Sequence, residues 1–418
     1  MWAPGIILAL VMTLVIWRPR GLSIAWPPLA GAALCFALGC LRWADAKRVF
    51  GMTWNATLAL VGLALLSAVL EANGAFRAAS FQVARAAHGH GFRLFFGLCA
   101  LTAGATAWVA NDGAILILTP IVAELGALLA LPEAATLALL FITGFLCDAT
   151  STLLPASNLT NILLLDALHE APGRFVGRLF LPSLAAFVVG TASGALLFRR
   201  AVPARFETAA LRTPPTFSAR SARATWAAFS LLFAGYGIAT LTQFPLGVVV
   251  TAVAAALLAV EQHGGAVSAR RIFRELPLGI LVFATSLFLI VTAVAQAGAG
   301  DALAASFAAA APGTRVYRVG VEVAAYSCVA NNLPAFLVSL LALKGSGLTE
   351  TLPYAALLGA NIGSKLTPMG SLATLLWLDI LRRRGLRVGW VRYLTLAVLP
   401  TVLTLLAALA VLAWLSPP

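Results

Sequence analysis

Two carboxylates, Asp112 and Asp148, and one ammonium, Lys365, sit inside stretches that are otherwise apolar. An ionised carboxylate in such surroundings is costly, so each must be paired, face a wet cavity or carry a proton. Proton coupling through at least one of them is therefore the expectation. The plainer alternatives are a helix N-cap for Asp112, at the start of a predicted helical arm, and a structural hydrogen bond for Asp148. Lys365 needs a counter-charge, and Asp148 or Asp112 is the expected partner. A fixed cation there would serve where a bound sodium ion serves in a sodium-coupled transporter, which favours protons. The alternative for Lys365 is a stem that snorkels to the cytoplasmic surface.

Around these charges lie Asn111, Ser157, Asn158, Asn161, Asn331, Asn332, Asn361, Ser371 and Thr374. Amides and hydroxyls bind OH groups in either hydrogen-bond direction, so the set suits an uncharged polyhydroxy solute. Some of its members must cap helix ends instead. Glu71, Glu124, Glu133 and Glu322 lie nearer predicted ends or arms, where solvated or capping roles are expected. The five cysteines, Cys35, Cys40, Cys99, Cys147 and Cys328, fall in apolar runs with neither CxxC nor Cys/His metal spacing. The four histidines fall in predicted loops. No metal site and no cofactor are implied. A phosphate-binding loop is absent from the sequence, so the chain is not expected to hydrolyse ATP. No nucleophile, base and orienting group recur as a unit, which argues against an enzyme.

These residues recur. Val109-Ala110-Asn111-Asp112 returns as Val329-Ala330-Asn331-Asn332. The stretch from Asp148 to Leu168 returns from Asn361 to Leu381, sharing Ser151/Ser364, Leu153/Leu366, Pro155/Pro368 and Asp166/Asp379 among others. Each copy interrupts an apolar run with polar residues, Gly and Pro, which a bilayer tolerates only where irregular backbone is shielded or lines a cavity. Two matching broken segments per half mark a secondary transporter with its site between repeats.

Composition names the solvent: 61% of the 418 residues are hydrophobic and 10% charged, against about 25% charged in a soluble domain. Long apolar runs such as 22–41, 175–198, 226–242 and 394–415 approach or reach the roughly 20 residues of a spanning helix. The expected fold is an all-α integral membrane protein of two inverted repeats, about five membrane helices each, with two re-entrant hairpins and two broken helices. The repeats are placed at 1–200 and 224–418, with a cytoplasmic linker at 201–223. In the first, the hairpin covers about 94–131, with its tip at 111–113, and the broken helix about 134–168, interrupted at 155–158. In the second they cover about 315–343, with its tip at Asn331-Asn332, and 353–381, interrupted at 367–371. The run at 6–17 is read as a retained helix.

The net charge of +13 would suggest nucleic acid in a soluble protein. Here the basic residues lie in short loops and report orientation. With loops assigned alternately to the two sides, one side collects nineteen basic residues, including Arg18, Arg20, Arg77, Arg205 and Arg384, and the other eight, including Arg178 and Lys344. The richer side is expected to be cytoplasmic, with both termini outside.

The segments 109–122, 156–162 and 363–378 resemble the signatures of the ArsB arsenite and antimonite efflux permeases of the ion transporter superfamily, and further similarity at 15–22, 54–57 and the last helix extends the likeness over essentially the whole chain. The resemblance implies export of arsenite and antimonite, as neutral hydroxides, in exchange for protons across the inner membrane. It also implies an optional ArsA-type cytosolic ATPase partner. Ser364 stands where the family commonly has proline, and Asn361-Ile362 replaces a Cys-Asp-type pair, which leaves Asp148 and Asp112 as the counter-charges for Lys365. Cys147 and Cys328 are weak candidates for arsenic ligands, because tight thiolate coordination would hinder release. The runner-up reading is a sodium- or proton-coupled transporter of another small oxyanion or a dicarboxylate. Such a substrate would want arginine, or several Ser-Asn-Thr loops at helix N-termini; no arginine lies at the tips or breaks themselves. A passive channel would run only downhill.

Overall fold

The computed structural model describes residues 2–17, 19, 22–212, 214–276, 278–346 and 350–416. Arg18 and Arg20, counted above with the basic loops, lie outside the described residues. The first half contains α1 (Ala3–Trp17), α2 (Trp26–Ala37), α3 (Trp43–Ala72), α4 (Ala75–Ala86), α5 (Gly91–Val109), α6 (Asn111–Leu128), α7 (Glu133–Ala149), α8 (Leu159–Leu168) and α9 (Pro172–Leu197). The second contains α10 (Ala219–Thr242), α11 (Leu246–His263), α12 (Ala269–Glu275), α13 (Leu278–Val294), α14 (Gly300–Ala309), α15 (Arg315–Ala330), α16 (Asn332–Ser346), α17 (Leu352–Gly363), α18 (Leu372–Arg383) and α19 (Trp390–Leu415). Among the described residues there is no strand, only an isolated antiparallel bridge between His90 and Arg205. Eight helical stretches among those residues are long and apolar enough to span a bilayer. The chain is a multi-pass membrane protein.

The helices sort by where their apolar surface goes. α10 leaves Trp226, Phe233 and Leu241 exposed, as befits a helix facing lipid. α17 is buried along its whole length and α7 nearly so, which is the place for a helix apolar on all sides. α17 can lie on α15 because Gly359 has no Cβ: one built there would collide with the backbone of Gly320. Small residues at a crossing let membrane helices approach at backbone distance. Gly320 faces Gly359 and Ala324 faces Gly363, so α15 and α17 run in the same direction.

Several expected runs shift. The run at 22–41 yields the short helix α2, opened by Pro27 and Pro28 and stopped before Gly39, whose φ is +71°. α13 does not stop at Val294: a π-turn with Gly298 at φ 99° bends the chain into α14. α10 begins at Ala219, inside the expected linker, because Ser218 caps it by accepting from the Ser221 amide. Pro182 in α9 and Pro400 in α19 sit at the same position of two mutually packed helices. Interior proline is tolerated in such helices where neighbours take up the freed backbone groups.

Two helix pairs fold back on themselves. α5 passes to α6 through Ala110 alone (φ 64°, ψ 160°), and α15 to α16 through Asn331 alone (φ 75°, ψ 152°). The turns are thus tighter than the expected tips of three and two residues, and Asn111 opens the second arm of the first pair. Near the end of α6, Glu124 receives Arg77 at 3.3 Å and Arg384 at 3.0 Å. Near the end of α16, Lys344 Nζ donates to the Ala167 carbonyl at the end of α8, 3.0 Å away. Glu124 and Lys344 occupy equivalent repeat positions, 220 residues apart.

Candidate functional site

The two tight turns meet the two helix breaks around a small cavity of about 40 Å³. Its polar lining is Asn111, Asp112, Asn158, Thr160, Asn331, Asn332 and Ser371. Six of these seven form repeat-equivalent pairs: Asn111 with Asn331, Asp112 with Asn332, and Asn158 with Ser371. Each pair sits at the start of a helix, where backbone NH groups lack intrahelical partners. Asn158 caps α8 by accepting from the Thr160 amide at 3.2 Å, and Ser371 holds the cap position of α18, with a buried hydroxyl that has no hydrogen-bond partner among the described residues. Gly113 keeps the first turn close to α3, because a Cβ there would strike the Ser67 hydroxyl. Ser67 Oγ in turn donates to the Val109 carbonyl at 3.1 Å.

The other neutral candidates stand behind this wall. Asn161 donates to the carbonyls of Ser151 at 2.7 Å and Leu154 at 2.9 Å, and Ser157 Oγ lies 2.6 Å from the same Ser151 carbonyl. Both staple the break between α7 and α8. Asn361 accepts from the Thr160 hydroxyl at 3.0 Å, joining the two broken helices. Thr374 accepts from Lys365 Nζ at 2.7 Å. The second turn is stitched likewise: the Asn332 amide donates to the Gly370 carbonyl at 2.7 Å, and Asn331 Nδ2 to the Met369 carbonyl at 3.3 Å. Thr160 was missed in sequence. Its signal was there, two residues after a capping asparagine and on the same helical turn.

Lys365 does not reach the surface. It is 2% exposed, and its Nζ lies 2.6 Å from Asp148 Oδ2. The other oxygen of Asp148 accepts from Asn111 Nδ2 at 2.5 Å, so the ion pair is tied directly to the cavity wall. Tyr393 donates its hydroxyl to the Lys365 carbonyl at 3.1 Å, and the rings of Phe141, Trp377 and Tyr393 close over the lysine. Asp112 stands apart. It lies in the first turn of α6, whose cap position is Ala110, so it is not the N-cap. It lines the central cavity and also a second hollow of about 110 Å³ shared with Ser67 and Glu71. Among the described residues no Lys or Arg lines either space.

A wider cleft of about 380 Å³ lies above α8, lined among others by Asn55, Asp166, His169, Glu170 and Lys344. In the turn after α8, burial pushes the Glu170 carboxyl up, while Arg178 and Arg174 pull it down. Cys147 and Cys328 are buried and line neither the cavity nor the hollow; Cys328 Sγ lies 3.1 Å from the Ala324 carbonyl within its own helix.

Known proteins share this whole chain. Residues 4–415 match the ArsB family, described as arsenical pump membrane protein. An arsenical pump membrane protein of Yersinia enterocolitica is 34% identical over 98% of this chain and 97% of its own length. One from Escherichia coli is 33% identical with the same coverage. In fold, the chain is similar to the YdaH transporter of Alcanivorax borkumensis, with a TM-score of 0.52 and 16% identity over 97% of this chain and 98% of that one.

Proposed function

The chain belongs to the ArsB family of arsenical pump membrane proteins, and from that premise we propose that it exports arsenite and antimonite, as neutral hydroxides, in exchange for protons by alternating access. One observation carries the exchange. Asp148 has its charge matched by Lys365, whereas Asp112 faces the cavity among neutral groups, with no Lys or Arg among the described residues lining the space. Asp112 is then the carboxyl whose charge is relieved only by a proton, or whose hydrogen-bonding capacity is met by a bound OH donor. Binding of the trihydroxide and binding of the proton compete at that one group.

The cavity suits such a solute. Its volume corresponds to about three water-sized positions, and its amides and hydroxyls can both donate and accept. A dicarboxylate would bring two negative charges to a space that offers no Arg or Lys and already holds a carboxylate, which speaks against the runner-up.

In this reading the halves are inverted repeats. Its support is the three equivalent pairs around the cavity, and the pairing of α2 with α13 mirrored by α11 with α3. The α5–α6 pair returns toward the arginine-rich end at Arg77 and Arg384, and α15–α16 toward the end marked by Lys344 and Arg178. We take the arginine-rich end as cytoplasmic. The exchange needs no ATPase; an ArsA-type partner would add to it.

The test is arsenite uptake by everted vesicles containing only this protein, with and without an imposed pH gradient. Accumulation that collapses with the gradient is expected. Sodium-driven uptake of succinate, or arsenite flux that only ever runs downhill, would sink the reading.

A further inference from the structure

The cleft above α8 holds a carboxylate that the exchange at Asp112 does not use. Asp166 stands on α8 six residues beyond Thr160 of the central cavity, about 9 Å of helix rise. Its Oδ1 accepts from Asn55 Nδ2 at 2.7 Å, and Asn55 Oδ1 accepts from the Gly247 amide at 2.8 Å. The amide of Asn55 is therefore held in one orientation, which fixes Oδ1 of Asp166 as the acceptor. Oδ2 is buried and has no hydrogen-bond partner among the described residues.

The repeat mate of Asp166 is Asp379, and the two environments differ. Asp379 has one oxygen 2.6 Å from Arg382 and the other 2.8 Å from Arg383. Both carboxylates lie near the C-terminal end of a helix, where the macrodipole is negative and an anion is disfavoured. Two guanidiniums offset this at Asp379. At Asp166 a single neutral amide does. The charged groups around Asp166 are Lys344 on α16, and His169 and Glu170 beyond the end of α8. Lys344 is turned to the Ala167 carbonyl, and Glu170 lies 3.7 Å from Arg174. The elements contributed by α3, α11 and α13 line the cleft with uncharged residues only.

We propose that Asp166 is a second exchangeable-proton site, which takes a proton at Oδ2 from the outer solution and holds it less than two helical turns above the central cavity. The inference rests on the proton-exchange reading and its orientation. The proton leaves bulk water and the carboxylate becomes a neutral acid, while Asn55 keeps its bond to Oδ1.

Everted vesicles, whose lumen corresponds to the outer face, test it. In the wild type, arsenite uptake should rise as the lumen is acidified. In Asp166→Asn that dependence should be lost, while arsenite–antimonite exchange at equal pH on both sides persists. Asp379→Asn should keep the lumenal dependence. Wild-type uptake indifferent to lumenal pH overturns the exchange reading itself; a wild-type dependence that survives intact in Asp166→Asn overturns this inference alone. Should Asp166→Asn fail to accumulate, Asp166→Glu carries the test: its longer stem moves the carboxyl off Asn55, the lumenal pH of half-maximal uptake should shift, and an unmoved midpoint overturns the proposal.

Discussion

Lys365 Nζ lies 2.6 Å from Asp148 Oδ2, and the two residues come from different halves of the chain. Removing one member of a buried pair leaves an uncompensated charge, which destabilises by about 3–5 kcal/mol. Asp148→Asn and Lys365→Met should each lower the thermal unfolding midpoint in detergent. The double variant should regain most of that loss, since it removes both charges. Full additivity of the two single effects would show that the pair does not hold the halves together.

Asp112 lies outside that pair. Asp112→Asn preserves shape and removes the titratable group, so its unfolding midpoint should match the wild type, and arsenite accumulation driven by a proton gradient should be abolished. Exchange of labelled for unlabelled arsenite at equal pH should continue, since the amide still binds OH groups. A variant that accumulates arsenite with undiminished gradient dependence removes Asp112 from the mechanism.

Much of this was legible in the sequence because polar residues in an apolar run have few places to go. The repeat placed Asn111, Asn331, Asn158 and Ser371 at four helix starts, and a buried lysine demanded a carboxylate. Sequence could not say which neutral residues face the solute. Asn158 and Asn161 are one turn apart and chemically alike, yet one lines the cavity and the other binds carbonyls of its own loop. That choice depends on where the chain runs between Thr150 and Asn158, a stretch with no periodicity to read. Asp166 was equally hidden, because its interest lies in what Asp379 has and it lacks.

The same division can be measured. Ser371→Ala touches a hydroxyl with no hydrogen-bond partner among the described residues, so it should leave stability within about 0.5 kcal/mol and raise the KM for arsenite. Ser157→Ala removes a buried hydroxyl that bonds the Ser151 and Leu154 carbonyls, which Asn161 still holds, and should destabilise by about 0.5–1.5 kcal/mol, with KM unchanged in the protein that remains folded. Reversed effects would put Ser157 at the substrate and Ser371 in the scaffold.

Glu124 and Lys344, at equivalent positions, close opposite ends by unequal means. Glu124 gathers Arg77 and Arg384, while Lys344 holds one carbonyl. The Glu124–Arg384 contact is part-exposed, with side chains 46% and 35% accessible, so its worth is about 0.2–1 kcal/mol. Under alternating access, Glu124→Gln should raise labelling of a cysteine placed at Leu116, which lines the hollow beside Asp112, by about 1.4- to 5-fold with a membrane-impermeant maleimide, the same energy expressed as a population ratio. Lys344→Met should instead raise labelling at Thr292→Cys, which lines the cleft above α8. Each substitution should lower labelling at the other site, because opening one end draws population from the other. Labelling that rises at both sites together would mean the contacts hold the fold rather than choose between two states.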